Sequence, residues 1–419
     1  MLYWLGVAAF ALAILISVSL HELGHMITAK RFGMKVTKYF VGFGPTVFSF
    51  KRGETEYGLK WIPLGGFCKI VGMTPQDDDV APEDQHRAMW RFPVWKRTVV
   101  MSAGSITHFV LAVVAIWFAA IFVGLPNPAL PQNAAEQRAA PAMIGVGTCV
   151  QIVISDTQPC TVGQNGNLPG PAAAAGLRNG DVITAVGGRP VADYGELTDA
   201  IRASRPGPTP FAYNRDGRSG TATVDLVAAQ RAPLDDPDGP VTEVAVAGIS
   251  WMTNETRLVT YGPVDAFGAT ADYSWALVKS TFEALQRIPE KVPALWRSIT
   301  GEERDPDTPI SVVGASRLGG EAIAAGVPEV FLMIFISLNI FIGIFNLLPL
   351  LPVDGGHIAI AWYEKVRSWI YAGLRKPDPG RVDYYKLMPF TYAVILIGGA
   401  FTLLTITADV INPISIFSR

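Results

Sequence analysis

Five residues near the start of the chain read His21-Glu22-Leu23-Gly24-His25. On a helix, positions i and i+4 share a face, so His21 and His25 can offer their imidazoles to one metal ion. Glu22 stands beside them, where a carboxylate can activate a water molecule for hydrolysis. These three ionisable groups close an uncharged run over residues 1–20, and burying such groups in lipid is costly unless they serve a function. A hydrolytic zinc site typically takes three protein ligands and keeps a fourth position open, so another polar residue is expected at the same depth. The strongest candidate is Asp354, in Asn346-Leu347-Leu348-Pro349-Leu350-Leu351-Pro352-Val353-Asp354-Gly355-Gly356-His357. It is the first charge after a long apolar run that Pro349 and Pro352 interrupt. Irregular backbone at membrane depth is tolerated only where protein or a cavity covers it. His357 is a rival ligand and ranks below Asp354.

The elements that must hold these residues are membrane helices. Half of the 419 residues are hydrophobic and 17% are charged, against about 25% charged in an ordinary soluble domain. A net charge of −2 and the lack of a basic block argue against a nucleic-acid partner. Uncharged stretches over 1–20, 98–125, 330–353 and 387–408 reach the roughly 20 residues that a bilayer-crossing helix needs. The first has no basic leader and no small-residue cleavage site, and Lys30, Arg31, Lys35 and Lys38 follow it, so it reads as a retained helix. Lys96 and Arg97 precede the second. Lys365, Arg367, Arg375, Lys376, Arg381 and Lys386 lie between the third and fourth. Positive charge marks the cytoplasmic side, which leaves both termini and the central segment, about 126–327, outside.

The expected fold is therefore a polytopic α-helical membrane protein with four transmembrane helices, a membrane-associated β-hairpin region and an extracytoplasmic PDZ-like α+β domain. The first helix occupies 1–28, the cytoplasmic hairpin or re-entrant region 29–96, and the second helix 97–126. A linker over 127–144 leads to the PDZ-like domain over 145–232 and a lid or tether over 233–327. The third helix takes 328–358, a cytoplasmic connection 359–386, the fourth helix 387–410 and a tail 411–419. The hairpin rests on alternating residues Thr46, Val47, Phe48, Ser49 and Phe50, a turn at Lys51-Arg52-Gly53-Glu54, and a second strand from Thr55 to Ile62. Its free edge offers strand addition to an unwound substrate, or it is an ordinary amphipathic element on the membrane surface. The acidic Asp77-Asp78-Asp79 reads as a solvated loop. Gly176-Leu177-Arg178-Asn179-Gly180-Asp181 entering an alternating strand, then a helical stretch from Glu196 to Ala203, resembles a PDZ domain. Such a domain either binds extended chains or screens out bulky ones. Cys149 and Cys160 fall outside, where a disulfide persists, and Cys68 falls in the reducing cytoplasm; all three would otherwise be small buried hydrophobes.

His-Glu-x-x-His in the first span together with Asn-x-x-Pro-x-x-x-x-Asp-Gly in a later one resembles the site-2 protease family of intramembrane zinc metalloproteases. The likeness runs along nearly the whole chain and is closest to the single-PDZ actinobacterial branch, the Rip-type proteases of mycobacteria. The resemblance implies one Zn2+ per chain held by His21, His25 and Asp354, with Glu22 as catalytic base. Asn346 would contact the substrate backbone or steady the oxyanion; as a bland alternative it is a helix-packing amide. It further implies a multi-pass protein of the bacterial cytoplasmic membrane that cuts single-pass substrates, anti-sigma factors among them. These would first be shortened outside by a site-1-type protease. One departure stands out: the family's Ala-Gly-Pro-x-x-Asn is here Ala103-Gly104-Ser105-Ile106-Thr107-His108. His108 is then a helix-packing partner, a stray ligand or neutral lining, and packing is favoured. The competing function classes are a non-catalytic PDZ-bearing scaffold, which loss of any of the four motif residues would favour, and a zinc transporter. A transporter would need polar ligands spread along a path that spans two and four do not offer.

Overall fold

The computed structural model describes residues 1–74, 76–77, 80–131, 133–153, 160–164, 166–232, 240–253, 256–302 and 304–415. Asp78, Asp79 and residues 233–239 lie outside that set. The described chain divides into two compact units, Met1–Leu125 with the chain from Thr260 onward, and Pro126–Val259.

In the first unit, helices α1 (Leu2–Arg31) and α2 (Val94–Phe122) flank a long hairpin, β1 (Val36–Arg52) and β2 (Thr55–Ile70). After the second unit come α3 (Asp265–Ile299), α4 (Val312–Ala324), α5 (Pro328–Asn346), α6 (Asp354–Gly373) and α7 (Met388–Ile411). Among the described residues, four helical stretches are long and apolar enough to cross a membrane: Leu2–Arg31, Val94–Phe122, Pro328–Asn346 and Tyr384–Ile411. Their outward faces carry Leu12, Ile16, Val110, Val114, Leu396 and Ile397 exposed, an arrangement that suits lipid and not water. Because lipid supplies no hydrophobic drive between helices, close packing must rely on small residues. A Cβ on Gly24 would meet Ala103 O and Thr107 Oγ1 at 2.7 Å, and one on Gly343 would meet the Phe109 ring at 2.8 Å. Glycine at these positions lets α1, α2 and α5 approach closely. Ala112, Ile116, Ala119 and Ala120 of α2 pack with Ile336, Ile340 and Ile344 of α5, and Ala266 of α3 joins them.

The structure departs from the sequence expectations in several elements. The first helix does not stop near residue 28 but runs to Arg31, with Lys30 and Arg31 in a last turn whose carbonyl ends favour cations. The third helix ends at Asn346, and Asp354 opens α6 instead of closing a continuous span. The turn between them folds back tightly: a Cβ on Gly355 would collide with the Leu347 and Leu348 carbonyls, and one on Gly356 with Leu350. The expected lid over 233–327 is not one element. Its described start supplies the strands Thr242–Val246, Ile249–Trp251 and Leu258–Val259 to the second unit, and α3 packs lengthwise against α2 and α5 through Ala269, Tyr273 and Leu277.

The hairpin is also longer than expected, and it curls. Residues 48–52 pair with 55–59, from Phe48 opposite Leu59 to Arg52 opposite Thr55. Residues 38–41 lie between both ends of β2: Tyr39 faces Tyr57 on one side and Cys68 on the other. Across the curl the order of segments is thus 46–52, 55–60, 36–41, 66–70.

The second unit is built on a five-stranded sheet ordered β8-β7-β6-β4-β5, where β4 is Val182–Val186, β5 Arg189–Pro190, β6 Gly207–Arg215, β7 Arg218–Arg231 and β8 Thr242–Val246. The helix Tyr194–Ala203, capped by Asp193, covers it with Leu197 and Ile201 over Ile183, Phe211 and Leu226. A short pair, β3 (Ile144–Val146) with β9 (Ile249–Trp251), closes the unit. The boundary at residue 232 falls short because β7 needs a partner along one side, and β8 supplies it from Val227 opposite Val246 to Arg231 opposite Thr242. Cys149 and Cys160 are joined in a disulfide, and Cys68 in the other unit is a free thiol.

Candidate metal centre

The α1 helix places His21 and His25 one turn apart on a buried face. Their Nε2 atoms lie 3.1 Å from each other, and each is 3.3 Å from Asp354 Oδ2. Among the described residues this is the one group of three His, Cys, Asp or Glu side chains close enough to share an ion. Two imidazole nitrogens and a carboxylate oxygen form the donor set that zinc favours. At zinc–ligand distances of about 2.0–2.1 Å, the edges of a tetrahedron are roughly 3.3 Å, so this triangle fits a zinc ion and leaves one position open.

The supports of the triangle are read from its neighbours. His25 Nδ1 donates to the Val100 carbonyl at 2.7 Å, which leaves Nε2 as a bare lone pair turned inward. Gly104 of α2 lies against both imidazoles: a Cβ there would stand 2.5 Å from His21 Cε1 and 2.6 Å from Nε2 of His21 and of His25. Asp354 reaches the site as the first residue of α6, delivered by the Pro-rich turn after α5. Glu22 points to the hairpin, where a Cβ on Gly66 would be 3.3 Å from its Cγ.

The remaining sequence candidates are distributed as follows. His357 lies outside the triangle, stacked on Tyr384 at 5.8 Å. His108 is also outside it, with its ring 5.1 Å from that of His21. Asn346 is half-buried at the end of α5, and its amide makes no side-chain hydrogen bond among the described residues. The edge expected at Thr46, Val47, Phe48, Ser49 and Phe50 is exposed on the outer segment of the curl. Along the curl, two further segments, 55–60 and 36–41, lie between it and residues 66–68. The hairpin segment beside Glu22 is therefore 66–68. A strand pattern could not reveal this, because the curl that carries 66–68 inward is set by pairing of distant residues. Sequence reasoning assigns no role at the site to Gly104, Gly66 or the Val100 carbonyl. The signal for Gly104 was a small residue within an apolar span.

These features define a membrane peptidase with a three-donor metal site, and the chain belongs to peptidase family M50, whose family model matches residues 9–373. Full-length relatives extend the match. The chain is 44% identical over 423 residues to the zinc metalloprotease Rip1 of Mycolicibacterium smegmatis, covering all of both chains. It is 42% identical over 419 residues to zinc metalloprotease Rip1 of Mycobacterium bovis and of Mycobacterium tuberculosis, again from end to end.

Proposed function

We propose that this site-2-type zinc metalloprotease cuts single-pass membrane proteins within their transmembrane segments, with His21, His25 and Asp354 holding the ion and Glu22 serving as catalytic base. The observation that carries this reading is the donor triangle of 3.1, 3.3 and 3.3 Å formed by His21, His25 and Asp354. When bound, zinc polarises a carbonyl and acidifies water. Glu22 takes the proton of the attacking water and returns it to the departing amine. A peptide bond inside a helix is already hydrogen-bonded and shielded, so the substrate unwinds first. Residues 66–68, paired on one side with 39–41, offer the unwound chain a strand edge beside Glu22. The unpaired amide of Asn346 contacts the substrate backbone or the developing oxyanion.

The positive-inside pattern supports reading the hairpin and the 359–386 connection as cytoplasmic segments of a multi-pass protein of the bacterial cytoplasmic membrane, and the sheet unit as extracytoplasmic. That unit is read as a PDZ-like domain that screens substrates by size. Screening suits substrates already trimmed outside by a site-1-type protease, anti-sigma factors among them.

The test is cleavage of a model single-pass substrate by purified enzyme, with zinc measured on the same sample. Glu22→Gln should lose cleavage and keep zinc, whereas Asp354→Ala should lose both. Loss of zinc with Glu22→Gln, or full zinc and activity in Asp354→Ala, would sink the assignment of roles.

A further inference from the structure

Beside the metal centre lies a second polar group that the proposed chemistry does not use. His108 of α2 is fully buried. Its Nδ1 is 3.0 Å from Ser17 Oγ of α1 and 2.8 Å from Asn339 Oδ1 of α5. Asn339 Nδ2 donates to the Phe335 carbonyl at 2.9 Å, which fixes the amide orientation, since the flipped amide would set oxygen against oxygen. Asn339 Oδ1 is therefore an acceptor, and the Ser17 hydroxyl donates to it as well. It follows that His108 carries its hydrogen on Nδ1 and presents Nε2 as an unprotonated lone pair.

That lone pair is buried and has no hydrogen-bond partner among the described residues. The same is true of Nδ1 of His21, whose Nε2 is turned to Asp354 and His25. A neutral imidazole that ligates through Nε2 carries hydrogen on Nδ1, and metal-bound histidines almost always donate that hydrogen to an outer acceptor. His25 does so to Val100. His21 has a donor without an acceptor, and His108, 5.1 Å away between ring centroids, has an acceptor without a donor.

We propose that His108 is the outer-shell positioning residue of His21: its Nε2 accepts the His21 Nδ1 hydrogen, after a small ring rotation or through one bridging water. Through Ser17 and Asn339 it ties that hydrogen bond to three helices at once. This gives a role to one of the two residues, Ser105 and His108, at which the second span departs from the pattern it resembles, and it rests on the reading of His21 as a zinc ligand.

Zinc affinity by chelator competition on the detergent-purified full chain tests it. His108→Leu should weaken zinc about 10–100-fold, the usual cost of losing an outer-shell partner. His108→Gln, which keeps a side-chain acceptor, should recover most of that loss. Ser17→Ala, which leaves Nε2 in place, should lower thermal stability more than zinc affinity. Wild-type zinc affinity in His108→Leu, or a Gln variant no better than Leu, overturns the proposal. Should the Leu variant fail to fold, 15N-histidine spectra of the zinc-loaded wild type decide: hydrogen on His108 Nδ1 supports the assignment and hydrogen on Nε2 refutes it. His21→Ala separates the two readings, because zinc retained there would overturn the ligand set itself, and not only the role of His108.

Discussion

Replacing Gly104 by alanine is a sharp test of how the metal centre is built. The added Cβ would stand 2.5–2.6 Å from His21 Cε1 and from Nε2 of His21 and His25, whereas ordinary contact begins at 3.4 Å. The imidazole tips must therefore retreat by about 0.8–0.9 Å, or α2 must shift outward by as much. Imidazole tips are the far ends of flexible side chains, so the fold should survive. The ligand positions should not, because zinc tolerates only about 0.2 Å of error in ligand distance. The expected loss of zinc affinity is on the order of 10²-fold or more, about 3 kcal/mol, with cleavage lost in step. Chelator competition on purified protein measures the affinity, and thermal unfolding of the metal-free form checks that the fold is intact. Gly399→Ala on α7 is the control, since nothing among the described residues lies within 4 Å of its Cβ position. Wild-type zinc affinity in Gly104→Ala would mean that the imidazoles are not held against α2, and the argument for the triangle's rigidity would fail.

Gly66→Ala places a Cβ 3.3 Å from Glu22 Cγ and 3.0 Å from the Phe40 carbonyl; cleavage should fall while zinc content holds, and a loss of zinc would show that the hairpin supports the ligands instead. Proline at Phe67 should slow cleavage more than proline at Phe48, because the former lies on the segment beside Glu22; the reverse order would restore the outer segment as the substrate edge. In the sheet unit, burial opposes ionisation of Asp181, but the Arg215 guanidinium at 2.7 Å and the Arg178 N–H at 2.8 Å outweigh it and hold the carboxyl below its usual range. A carboxyl whose folded pKa is depressed adds stability above its unfolded pKa of about 3.9 and loses it as pH falls toward the folded value. Hydrogen-exchange protection of β4 and β6 should drop across that acidic window, and Arg215→Ala should lower protection at neutral pH and flatten the dependence; an unchanged profile in Arg215→Ala would refute the coupling.

Much of this protein was legible in its sequence, for reasons that are local. A lipid-crossing helix must be apolar over its whole length, so the four helical stretches long and apolar enough to cross a membrane could be read from hydropathy. The spacing of His21 and His25 is a property of one helix and needs no tertiary information. Asp354 could be singled out because a charge at membrane depth is rare enough to be noticed. The tertiary structure decided what depends on residues far apart in the chain. The break after Asn346 delivers Asp354 from the start of a new helix, through a turn that only Gly355 and Gly356 admit. The segment beside Glu22 is 66–68 and not 46–50, because the hairpin's register curls β2 around the start of β1. Packing between helices was the favoured reading of His108, and the structure bears it out, but its partners Ser17 and Asn339, 91 and 231 residues away, could not be named from the sequence. Periodicity reports which face a side chain occupies within its own helix, but the group that meets it across the bundle is chosen only when the helices pack.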